Sequence, residues 1–386
     1  MITILINVFF LIPIFLLFNF IISRKRILKK IEKGNPEYNP DVLVVIPFKG
    51  IDYNIHKTIE YLKNQDYSGT YSVSLVTSDK DCDYIDSIKD SIFNCSSIKL
   101  LQIDYDPLIN IRGDKVNNII NAIDTAPSST QVFLFLDSDM IPHTSWISCM
   151  IKLLQFKEYG LVSGSAWVED QSNSSMSLAT RFWDFLATLM VCFDFTSFAR
   201  GLSFGILKKT FDEINVRSVW DSATDDNFTI TKLVLSKHLK IAYSPYCIIS
   251  ECFNLKGFEW VKWVKRQAAH TITFHKKLWA FGFFLVTLPR FLGALGFTLS
   301  VIFFFLPYTN LFTAFMAWPL IHFFTAYLIT IIISNDAKNI NPSHKVILKT
   351  TLASFLTTFH CMGSIMAIIN RRTLWRGIIH YDNRKH

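Results

Sequence analysis

Two aspartates follow directly after an apolar run in the segment FLFLDSDMIPH, residues 133–143. Asp137 and Asp139 are separated by one serine, so both carboxylates leave the same short turn at the end of a predicted strand. Burying an ionised carboxylate without a partner is costly. The pair therefore lies at the exposed lip of a sheet, or a cation binds between the two carboxylates. Mg²⁺ or Mn²⁺ would suit such oxygen ligands.

A second acidic pair, Asp225 and Asp226 in the segment TDDNFT, could supply a general base. In a reaction that breaks a sugar–diphosphate bond, a metal ion neutralises the leaving group and a carboxylate takes the proton of the incoming hydroxyl. Two close acids can raise the pKa of one of them toward the working range. Each motif alone has a simpler interpretation, since Asp-x-Asp is often a solvated strand end and TDD often caps a helix. We assign Asp226 as the candidate base.

Residues 41–255 have the pattern of an α/β domain that would position these acids. The segments DVLVVIPF, YSVSLVTSDKD and QVFLFLDSD predict buried strands, and NIHKTIEYLKNQ and DKVNNIINAIDTA predict the helices between them. This alternation predicts a parallel sheet with right-handed crossovers. Ligands bind such sheets beyond the carboxyl ends of the strands. Asp79, Asp81 and Asp83, after the second strand, should therefore lie near Asp137 and Asp139.

The composition indicates a membrane protein. Half of the 386 residues are apolar, and the mean hydropathy is +0.28. The net charge is +8, but many basic residues flank apolar stretches, which suits an anionic membrane surface and not nucleic acid. The seven cysteines show no CxxC pair and no Cys/His metal spacing. They predict isolated thiols, without a disulfide framework or a structural zinc site.

The N-terminal stretch, residues 1–23, predicts a transmembrane anchor. A basic linker, residues 24–40, is expected to follow, because five basic residues come directly after the apolar run: Arg24, Lys25, Arg26, Lys29 and Lys30. The positive-inside rule places this linker in the cytosol and the N-terminus outside. A cleaved signal peptide is the alternative, but it would carry its charges before a shorter apolar core.

The C-terminal third predicts further membrane segments. We expect an interfacial amphipathic helix over residues 256–280, where Trp260, Trp263 and Trp279 stand among basic residues. Membrane segments are expected over 281–370, and a basic tail over 371–386. Pro289 and Arg290 interrupt the first apolar stretch, which predicts a span that begins near Phe291.

A count of four spans conflicts with the charges of the tail, because it would place this basic segment outside. We therefore expect residues 346–369 to be re-entrant or to lie along the surface, since this stretch carries polar residues at six positions: Thr350, Thr351, Ser354, Thr357, Thr358 and His360. Residues 178–198 also resemble a span. Crossing there would separate Asp137 from Asp226, so we expect a helix that leans on the bilayer or packs inside the domain.

Several short motifs occur in one order along the chain: PFKGID (47–52), SDKDCDYI (78–85), DKVNN (114–118), LDSD (136–139), GLVSG (160–164), GLSFGILKK (201–209), TDDNF (224–228) and TLWRGIIHY (373–381). Together they resemble the motifs of family-2-type glycosyltransferases with the GT-A fold, and most of all the ceramide glucosyltransferase branch. The resemblance extends over nearly the whole chain after the first apolar stretch.

The resemblance implies an α/β fold, a GT-A domain with a Rossmann-like mixed sheet that binds a nucleotide sugar in the cytosol, plus transmembrane helices. It implies an inverting, metal-dependent hexosyltransferase. The donor would be a nucleotide-diphosphate sugar similar to UDP-glucose, and the acceptor a hydroxyl of ceramide or of another membrane lipid. GLVSG and GLSFGILKK would line the sugar and acceptor cleft.

The resemblance also assigns roles to individual residues. Asp226 would be the catalytic base, and Asp137 and Asp139 would bind Mg²⁺ or Mn²⁺. The nucleotide sugar would contact five residues: Pro47, Lys49, Asp81, Lys115 and Asp137. Asp79 and Asp83 are alternatives to Asp81.

The sequence departs from the family pattern at one place. The family carries Gln/Arg-x-x-Arg-Trp on the interfacial helix, whereas RQAAHTITF has His270 in place of the arginine and Thr271 in place of the tryptophan. Arginine grips phosphate with a charged fork, and histidine is only partly charged at neutral pH. The diphosphate and acceptor region would comprise Asp225, Arg266, Gln267, His270, Trp375 and Arg376.

Three alternatives to a lipid hexosyltransferase stay open from the residues. The first is a polyisoprenyl-phosphate sugar transferase and the second is a processive polysaccharide synthase. The third is a membrane protein that binds a nucleotide sugar without catalysis, which the histidine at position 270 would allow.

Overall fold

The computed structural model describes residues 2–50, 54–78, 82–105, 112–169, 174–252, 257–302, 317–337, 339–371, 373–375 and 378–380. Side chains are described from residue 11 onward, except those of residue 82 and of the last two of these ranges. Asp79 and Asp81 of the acidic motif and Arg376 of the terminal motif lie outside the described residues.

The centre of the protein is a mixed sheet of eight strands. Its strands are β1 Val42–Pro47, β2 Tyr71–Thr77, β3 Ile98–Gln102, β4 Val132–Leu136, β5 Met140–Ile141, β6 Tyr159–Glu169, β7 Ser203–Leu207 and β8 Lys240–Cys252. Their order across the sheet is β3-β2-β1-β4-β7-β6-β8-β5. A separate antiparallel pair is formed by β9 Thr373–Trp375 and β10 Ile378–His380.

One half of this sheet is parallel, as the alternation of strands and helices predicts. β3, β2, β1 and β4 are parallel neighbours, and β1 and β4 are buried along their whole length. The other half breaks the prediction, because β7 runs antiparallel to both β4 and β6. β3 was not predicted: it is short and only its first residue is buried, so it lacks the apolar run of an interior strand.

The helices of the domain surround this sheet. They are α2 Ile55–Lys63, α3 Cys82–Ile92, α4 Asp114–Asp124, α5 Trp146–Ile151, α6 Ser175–Val191, α7 Lys208–Glu213, α8 Val216–Trp220 and α9 Asn227–Ser236. α4 and α9 carry the acidic and basic residues of the predicted site at or next to their first residues. The mixed sheet with its helices is the GT-A-like architecture that the sequence predicts.

The first helix, α1, extends from Ile2 to Lys33. It therefore continues through the first ten residues of the expected linker, and only residues 34–41 lie between it and the sheet. Its middle packs on the rest of the protein, because Leu16, Leu17 and Phe20 are buried. Phe20 lies against Tyr243 of β8, with ring centroids 6.5 Å apart.

α6 packs inside the domain, as its charges predict. Asp184 of α6 forms a buried ion pair with Arg200, and it also accepts a hydrogen bond of 3.2 Å from the backbone N–H of Ala166 in β6. Arg181 donates to the carbonyl of Val168 over 2.7 Å, and its guanidinium stacks on Trp167. Asp184 and Arg181 thus both have polar partners inside the domain.

The segment predicted as one interfacial helix is two helices, α10 Phe258–Phe274 and α11 Lys276–Phe281. The break is at His275, whose backbone leaves the helical region and whose ring accepts from the N–H of Leu278. α11 continues through a π-helical turn, Gly282–Thr287, into α12 Leu288–Ile302. The wide turn comes directly before Pro289, which has no N–H to donate, so the helix is not interrupted there.

Within the described residues, three helical stretches are long and apolar enough to cross a membrane: Lys276–Ile302, Trp318–Asp336 and His344–Ile369. The first begins at Lys276 and not near Phe291. The second is one helix, α13. The third comprises α14 His344–Ala353, a 3₁₀ segment Ser354–Phe359 and α15 His360–Ile369.

Candidate active site

Lys115 connects the two acidic motifs that the sequence singles out. Its Nζ lies 2.8 Å from Oδ1 of Asp137 and 3.1 Å from Oδ2 of Asp226. The three side chains come from the first turn of α4, from the end of β4 and from the residue before α9. Asp137 and Asp226, which lie 22 and 111 positions after Lys115 in the sequence, thus meet it at one edge of the sheet. Their meeting places a cation between two carboxylates.

Asp137 and Asp139 lie in the turn that joins β4 to β5. The backbone N–H of Asp137 donates to the carbonyl of Leu202 over 3.1 Å, and the N–H of Met140 donates to the carbonyl of Asp137 over 3.1 Å. These bonds fix the turn between β4, a buried interior strand, and β5, an edge strand of the sheet. The Asp137 side chain remains 32 % exposed. The pair is therefore at the lip of the sheet, and a cation does lie against it, namely the ammonium of Lys115.

The two neighbouring aspartates before α9 have different surroundings. Oδ2 of Asp225 accepts from the backbone N–H groups of Phe228 at 2.7 Å and of Thr229 at 3.1 Å. Asp225 therefore caps α9. Asp226 turns instead toward Lys115, and its carbonyl accepts from the indole N–H of Trp220 over 3.3 Å. The simpler interpretation of TDD, a helix cap, holds for Asp225 and leaves Asp226 free for chemistry.

The pKa of Asp226 is raised above that of an ordinary aspartate, because burial disfavours its charged form and the carboxylates of Asp225 and Asp137 add to the effect. Lys115 lowers it in part. Burial in turn lowers the pKa of Lys115, but Asp137 and Asp226 raise it by more, so the lysine keeps its charge. The raised pKa is the direction that a carboxylate base near neutral pH requires.

A second basic–acidic contact lies at the ends of β1 and β2. Lys49, two residues after Pro47, forms an ion pair of 2.8 Å with Asp114 at the start of α4, and Ser78 donates to the same carboxylate over 2.7 Å. Pro47 ends β1, where parallel strands open toward a ligand. Lys49 and Lys115 are therefore both anchored through α4, since Asp114 and Lys115 are consecutive.

His270 contacts the acidic motif from α10. Its Nε2 lies 2.8 Å from Oδ1 of Asp225, and its ring packs between those of Phe228 and Phe274. Arg266 and Gln267, one turn earlier, are half-buried. The residue that replaces the family arginine is thus directed at the capping aspartate, one position away from the candidate base.

Among the described contacts, none joins Asp83 or GLVSG to this site. Asp83 is exposed on α3. Trp375 lies in β9, whose side chains are outside the described set. GLVSG lies within β6, a buried strand, whereas a Cβ built on Gly201 of GLSFGILKK would lie 3.6 Å from Nζ of Lys115. Gly201 therefore borders the site and leaves room beside the lysine.

Sequence reasoning missed Glu251, which the pairing of β5 with β8 brings opposite Met140. Burial raises its pKa well above the ordinary value, and the nearby carboxylates of Asp139 and Asp184 add to this effect, while Arg200 opposes it. A lone glutamate at the end of a long strand gives no signal in sequence. Only the two-residue strand β5, next to the DSD turn, brings this acid to the site.

The carboxylates of the DSD turn suit a divalent cation that is bound through oxygen atoms and keeps other coordination positions open. No group of three or more His, Cys, Asp or Glu side chains placed to hold a metal occurs among them. Two carboxylates, Asp137 and Asp139, are thus the donors that the turn offers, and Mg²⁺ and Mn²⁺ commonly combine one or two carboxylates with water and substrate phosphate oxygens. The ammonium against Asp137 shows that this carboxylate accommodates a cation.

Comparisons with known proteins bear on the fold and the family of this chain. A solved structure, the mannosyltransferase PcManGT from Pyrobaculum calidifontis in complex with GDP-Man and Mn²⁺, matches with a TM-score of 0.52 and 15 % identity, over 94 % of this chain and 98 % of that one. At this identity the likeness concerns the fold. No curated protein matches the sequence. The model of glycosyl transferase family 21 matches residues 8–382. The chain therefore belongs to glycosyl transferase family 21, and the protein is a glycosyltransferase.

Proposed function

We propose that the protein transfers a hexose, glucose or a similar sugar, from a nucleotide-diphosphate sugar to a hydroxyl of a membrane lipid such as ceramide. The proposal rests on one observation: the carboxylates of Asp137 and Asp226 both lie within 3.1 Å of the ammonium nitrogen of Lys115. This arrangement puts a proton acceptor and a set of groups for a diphosphate on the same cleft, which is what a single displacement at an anomeric carbon requires.

Asp226 is the group that takes the proton of the acceptor hydroxyl. It is buried, and its raised pKa makes it a stronger base than an exposed aspartate. The hydroxyl oxygen attacks the anomeric carbon while the bond to the diphosphate breaks on the opposite face. The proton moves to Asp226, the bonding electrons leave with the diphosphate, and the configuration is inverted.

The leaving diphosphate gains negative charge, and cationic groups at the same edge neutralise it. Mg²⁺ or Mn²⁺ on Asp137 and Asp139 would supply Lewis-acid stabilisation of this leaving group. Lys115 and Lys49 add two fixed positive charges, each held by an aspartate in the structure. Arg266 and Gln267 would approach from α10. The charge of Lys115 serves both ends of the reaction, because it also contacts the base.

The apolar helices support a lipid acceptor. Three described helical stretches could cross a membrane, and α10, which contacts the acidic motif through His270, leads directly into the first of them. We propose that the catalytic domain is cytosolic and that α1 anchors it. A lipid whose head group lies near α10 would then reach the cleft without leaving the bilayer, which lowers the entropic cost of the encounter.

Purified protein would be assayed with UDP-glucose, UDP-galactose and GDP-mannose, each with Mg²⁺, with Mn²⁺ or with a chelator. The acceptors would be ceramide, diacylglycerol, a sterol and a polyisoprenyl phosphate. We expect release of the nucleotide diphosphate and formation of an inverted glycolipid that depends on the metal. Asp226→Asn should abolish it, and Asp212→Asn should not, because Asp212 forms an exposed pair with Lys208 on α7.

The other outcomes separate the alternatives. Transfer to the polyisoprenyl phosphate alone would replace the lipid hydroxyl by a phosphate acceptor. A polymer of several sugars would indicate a processive synthase. Binding of a nucleotide sugar without turnover with any acceptor would indicate a protein without catalysis. Activity that persists with the chelator would contradict the metal assignment to Asp137 and Asp139.

A further inference from the structure

The loop of residues 192–202, between α6 and β7, joins an exposed aromatic side chain to the candidate site. Near its start, Phe195 is 62 % exposed. Near its end, a Cβ built on Gly201 would lie 3.6 Å from Nζ of Lys115. Phe195 and Gly201 are six positions apart, a distance that an extended chain spans in about 20 Å at most. The loop therefore covers a short path between the protein surface and the lysine beside the candidate base.

The outer end of this loop lies where the apolar helices leave the catalytic domain. The ring of Phe195 lies edge-on to that of Phe281, with centroids 5.0 Å apart, and Phe281 ends α11 within the first apolar stretch. Burial raises the pKa of the Cys192 thiol at the start of the loop, and the carboxylate of Asp336 adds to this rise while Arg24 opposes it. The thiol is thus close to the ion pair that joins the basic flank of α1 to the end of α13.

The inner end of the loop lies against α9, directly after the candidate base. Phe228 follows Asp226 by two positions and is buried. The centroid of its ring lies 5.7 Å from that of Phe198 in the loop and 5.7 Å from that of His275, before α11. Phe198 and His275 are half-buried, so part of each ring stays accessible. Phe228 therefore connects the loop and the start of α11 at a point next to the base.

Four phenylalanines thus line one path from the outer end to the base: Phe195, Phe281, Phe198 and Phe228. We call them the aromatic track. His275 and Phe281 are six positions apart on one side of the path, which corresponds to about 9 Å of helix, and Phe195 and Phe198 are three positions apart on the other side. A phenyl ring has no polar group, unlike the rings of tyrosine and tryptophan. The part of a ligand that lies on the track is therefore hydrocarbon.

Hydrogen bonds hold the loop on α9, so the track keeps a fixed position relative to the base. The backbone N–H of Ala199 donates to the hydroxyl of Thr231 over 2.9 Å, and its carbonyl accepts from the side-chain amide of Asn227 over 3.0 Å. Asn227 follows Asp226 directly. A chain bound on the track is thus aligned with Asp226, and such alignment lowers the entropic cost of bringing a hydroxyl to its base.

The position of the track fits a membrane lipid. Lys276 and Lys277, at the start of α11, are exposed, and the first apolar stretch continues directly from them. Basic residues at this place are typical of a helix that meets the membrane surface. A hydrocarbon chain that leaves the bilayer there would pass Phe281 and Phe195 first and Phe198 last, so little of its apolar surface would meet water.

We propose that the aromatic track binds the hydrocarbon chain next to the acceptor hydroxyl, with the hydroxyl near Asp226 and the chain leaving toward the bilayer past Phe195. The inference rests on the proposed transfer to a lipid hydroxyl, and it adds the feature by which the acceptor is selected. Acceptors with a long flexible chain beside the hydroxyl are preferred to those with a short chain, because only a long chain reaches the outer end of the track.

The first test compares acceptors of two chain lengths. Purified protein in detergent receives a nucleotide sugar and short-chain or long-chain forms of ceramide and of diacylglycerol. We expect Phe195→Ala to raise the KM for the long-chain lipid about tenfold, because the chain loses an apolar contact. The KM for the short-chain lipid and the KM for the nucleotide sugar should not change. Phe93→Ala is the matched control, since Phe93 is 84 % exposed directly after α3, and it should change none of these constants.

Equal changes of KM for both chain lengths in Phe195→Ala, or no change for the long chain, would overturn the inference. Wild-type protein that transfers sugar to none of these lipids would contradict the proposed function, and the track is then tested by binding alone.

The second test measures binding without turnover. Asp226→Asn protein in phosphatidylcholine vesicles is irradiated with ceramide or diacylglycerol that carries a photoreactive diazirine in the chain beside the hydroxyl, and mass spectrometry identifies the labelled residues. We expect label on Phe198 or Phe228 that an excess of the same lipid without the diazirine suppresses. Such label without transfer by the wild type would support the track and contradict only the proposed reaction. Label confined to side chains exposed on α12, such as Leu295 and Leu299, would overturn the inference.

Discussion

The ammonium group of Lys115 lies 3.1 Å from the buried carboxylate of Asp226. This contact makes the lysine part of the environment of the candidate base as well as of the candidate metal motif. Burial alone would hold Asp226 protonated up to a higher pH, and the positive charge beside it works in the opposite direction. The balance between the two determines the pH at which the base becomes active.

Replacing Lys115 with methionine removes the positive charge and keeps most of the apolar part of the side chain. In Lys115→Met the pKa of Asp226 should rise, because burial and the carboxylate of Asp225 are no longer opposed by a cation. The acid limb of the pH–kcat profile should therefore move to higher pH, and activity at neutral pH should fall. The measurement is kcat from pH 5 to 9 with saturating donor and metal.

Lys240→Met is the control for this substitution, since Lys240 is an exposed lysine at the start of β8 that pairs with Asp194. An acid limb that stays in place in Lys115→Met, or that moves to lower pH, would show that Lys115 does not act on the base.

Asp226→Asn should make the protein more resistant to unfolding at neutral pH while it abolishes transfer. The pKa of Asp226 is higher in the folded protein than its ordinary value of 3.8. The folded state thus binds this proton more tightly than the unfolded state, and the ionised carboxylate lowers stability once the pH exceeds the folded pKa. As the pH falls below the ordinary value, this cost disappears.

The checking measurement is the midpoint of thermal unfolding of both proteins in detergent, without metal, at pH 8 and near pH 4. We expect Asp226→Asn to have the higher midpoint at pH 8 and the difference to shrink near pH 4. A variant that is less stable at pH 8 would mean that the contact with Lys115 outweighs burial.

His270 is expected to act on the base through Asp225. His270→Ala leaves the buried carboxylate of Asp225 with only the two N–H groups of α9, so the start of that helix, and Asp226 with it, is held less firmly. Losing a hydrogen bond to a charged group costs about 1.5–3 kcal/mol of stability, and we expect the less firmly held Asp226 to lower kcat. His270→Arg should recover most of the activity, since arginine can also pair with Asp225.

Measuring kcat and the KM for the donor separately tests whether His270 acts through Asp225. If His270 holds Asp225, kcat falls in His270→Ala and KM for the donor changes little. A raised donor KM with an unchanged kcat would instead indicate that His270 binds the diphosphate, as the family arginine in the same position is expected to do.

The pair Asp184–Arg200 should contribute strongly to folding. Both side chains are at most 10 % exposed, and Arg200 also reaches the hydroxyls of Ser165 and Thr188. Arg200→Met leaves an uncompensated carboxylate in the domain, which typically costs about 3–5 kcal/mol. Denaturant unfolding of the purified protein measures this loss.

A matched surface pair gives the reference for this value. Arg217→Met breaks two partly exposed pairs, with Asp124 and with Asp221, and should cost about 1 kcal/mol or less. Equal losses of unfolding free energy in Arg200→Met and Arg217→Met would show that burial does not increase the contribution of the Asp184–Arg200 pair. The double variant Asp184→Asn with Arg200→Met should recover part of the loss, because no charge is then left buried without its partner.

The sequence alone determined the local elements and the identity of the reactive groups. An uninterrupted apolar run before Asp137 can hardly be anything other than a buried strand, and an acid pair at its end must meet water or a cation. The long apolar stretches with basic flanks likewise indicate helices for a membrane. These conclusions depend on neighbours along the chain, and hydrophobic periodicity records such neighbours directly.

The tertiary structure decided everything that depends on partners distant in sequence. Asp225 caps α9 and Asp226 pairs with Lys115. This difference is not visible in the sequence, because α4 brings Lys115 to Asp226 from a distant part of the chain. Glu251 joins the DSD turn only because β5 pairs with β8. The polar positions of residues 346–369 name no partner in sequence, whereas the structure pairs Thr350 with Arg181 of α6 and Ser354 with His322 of α13. A sequence shows the pattern of polar and apolar faces, but only packing shows which face meets protein and which meets lipid or water.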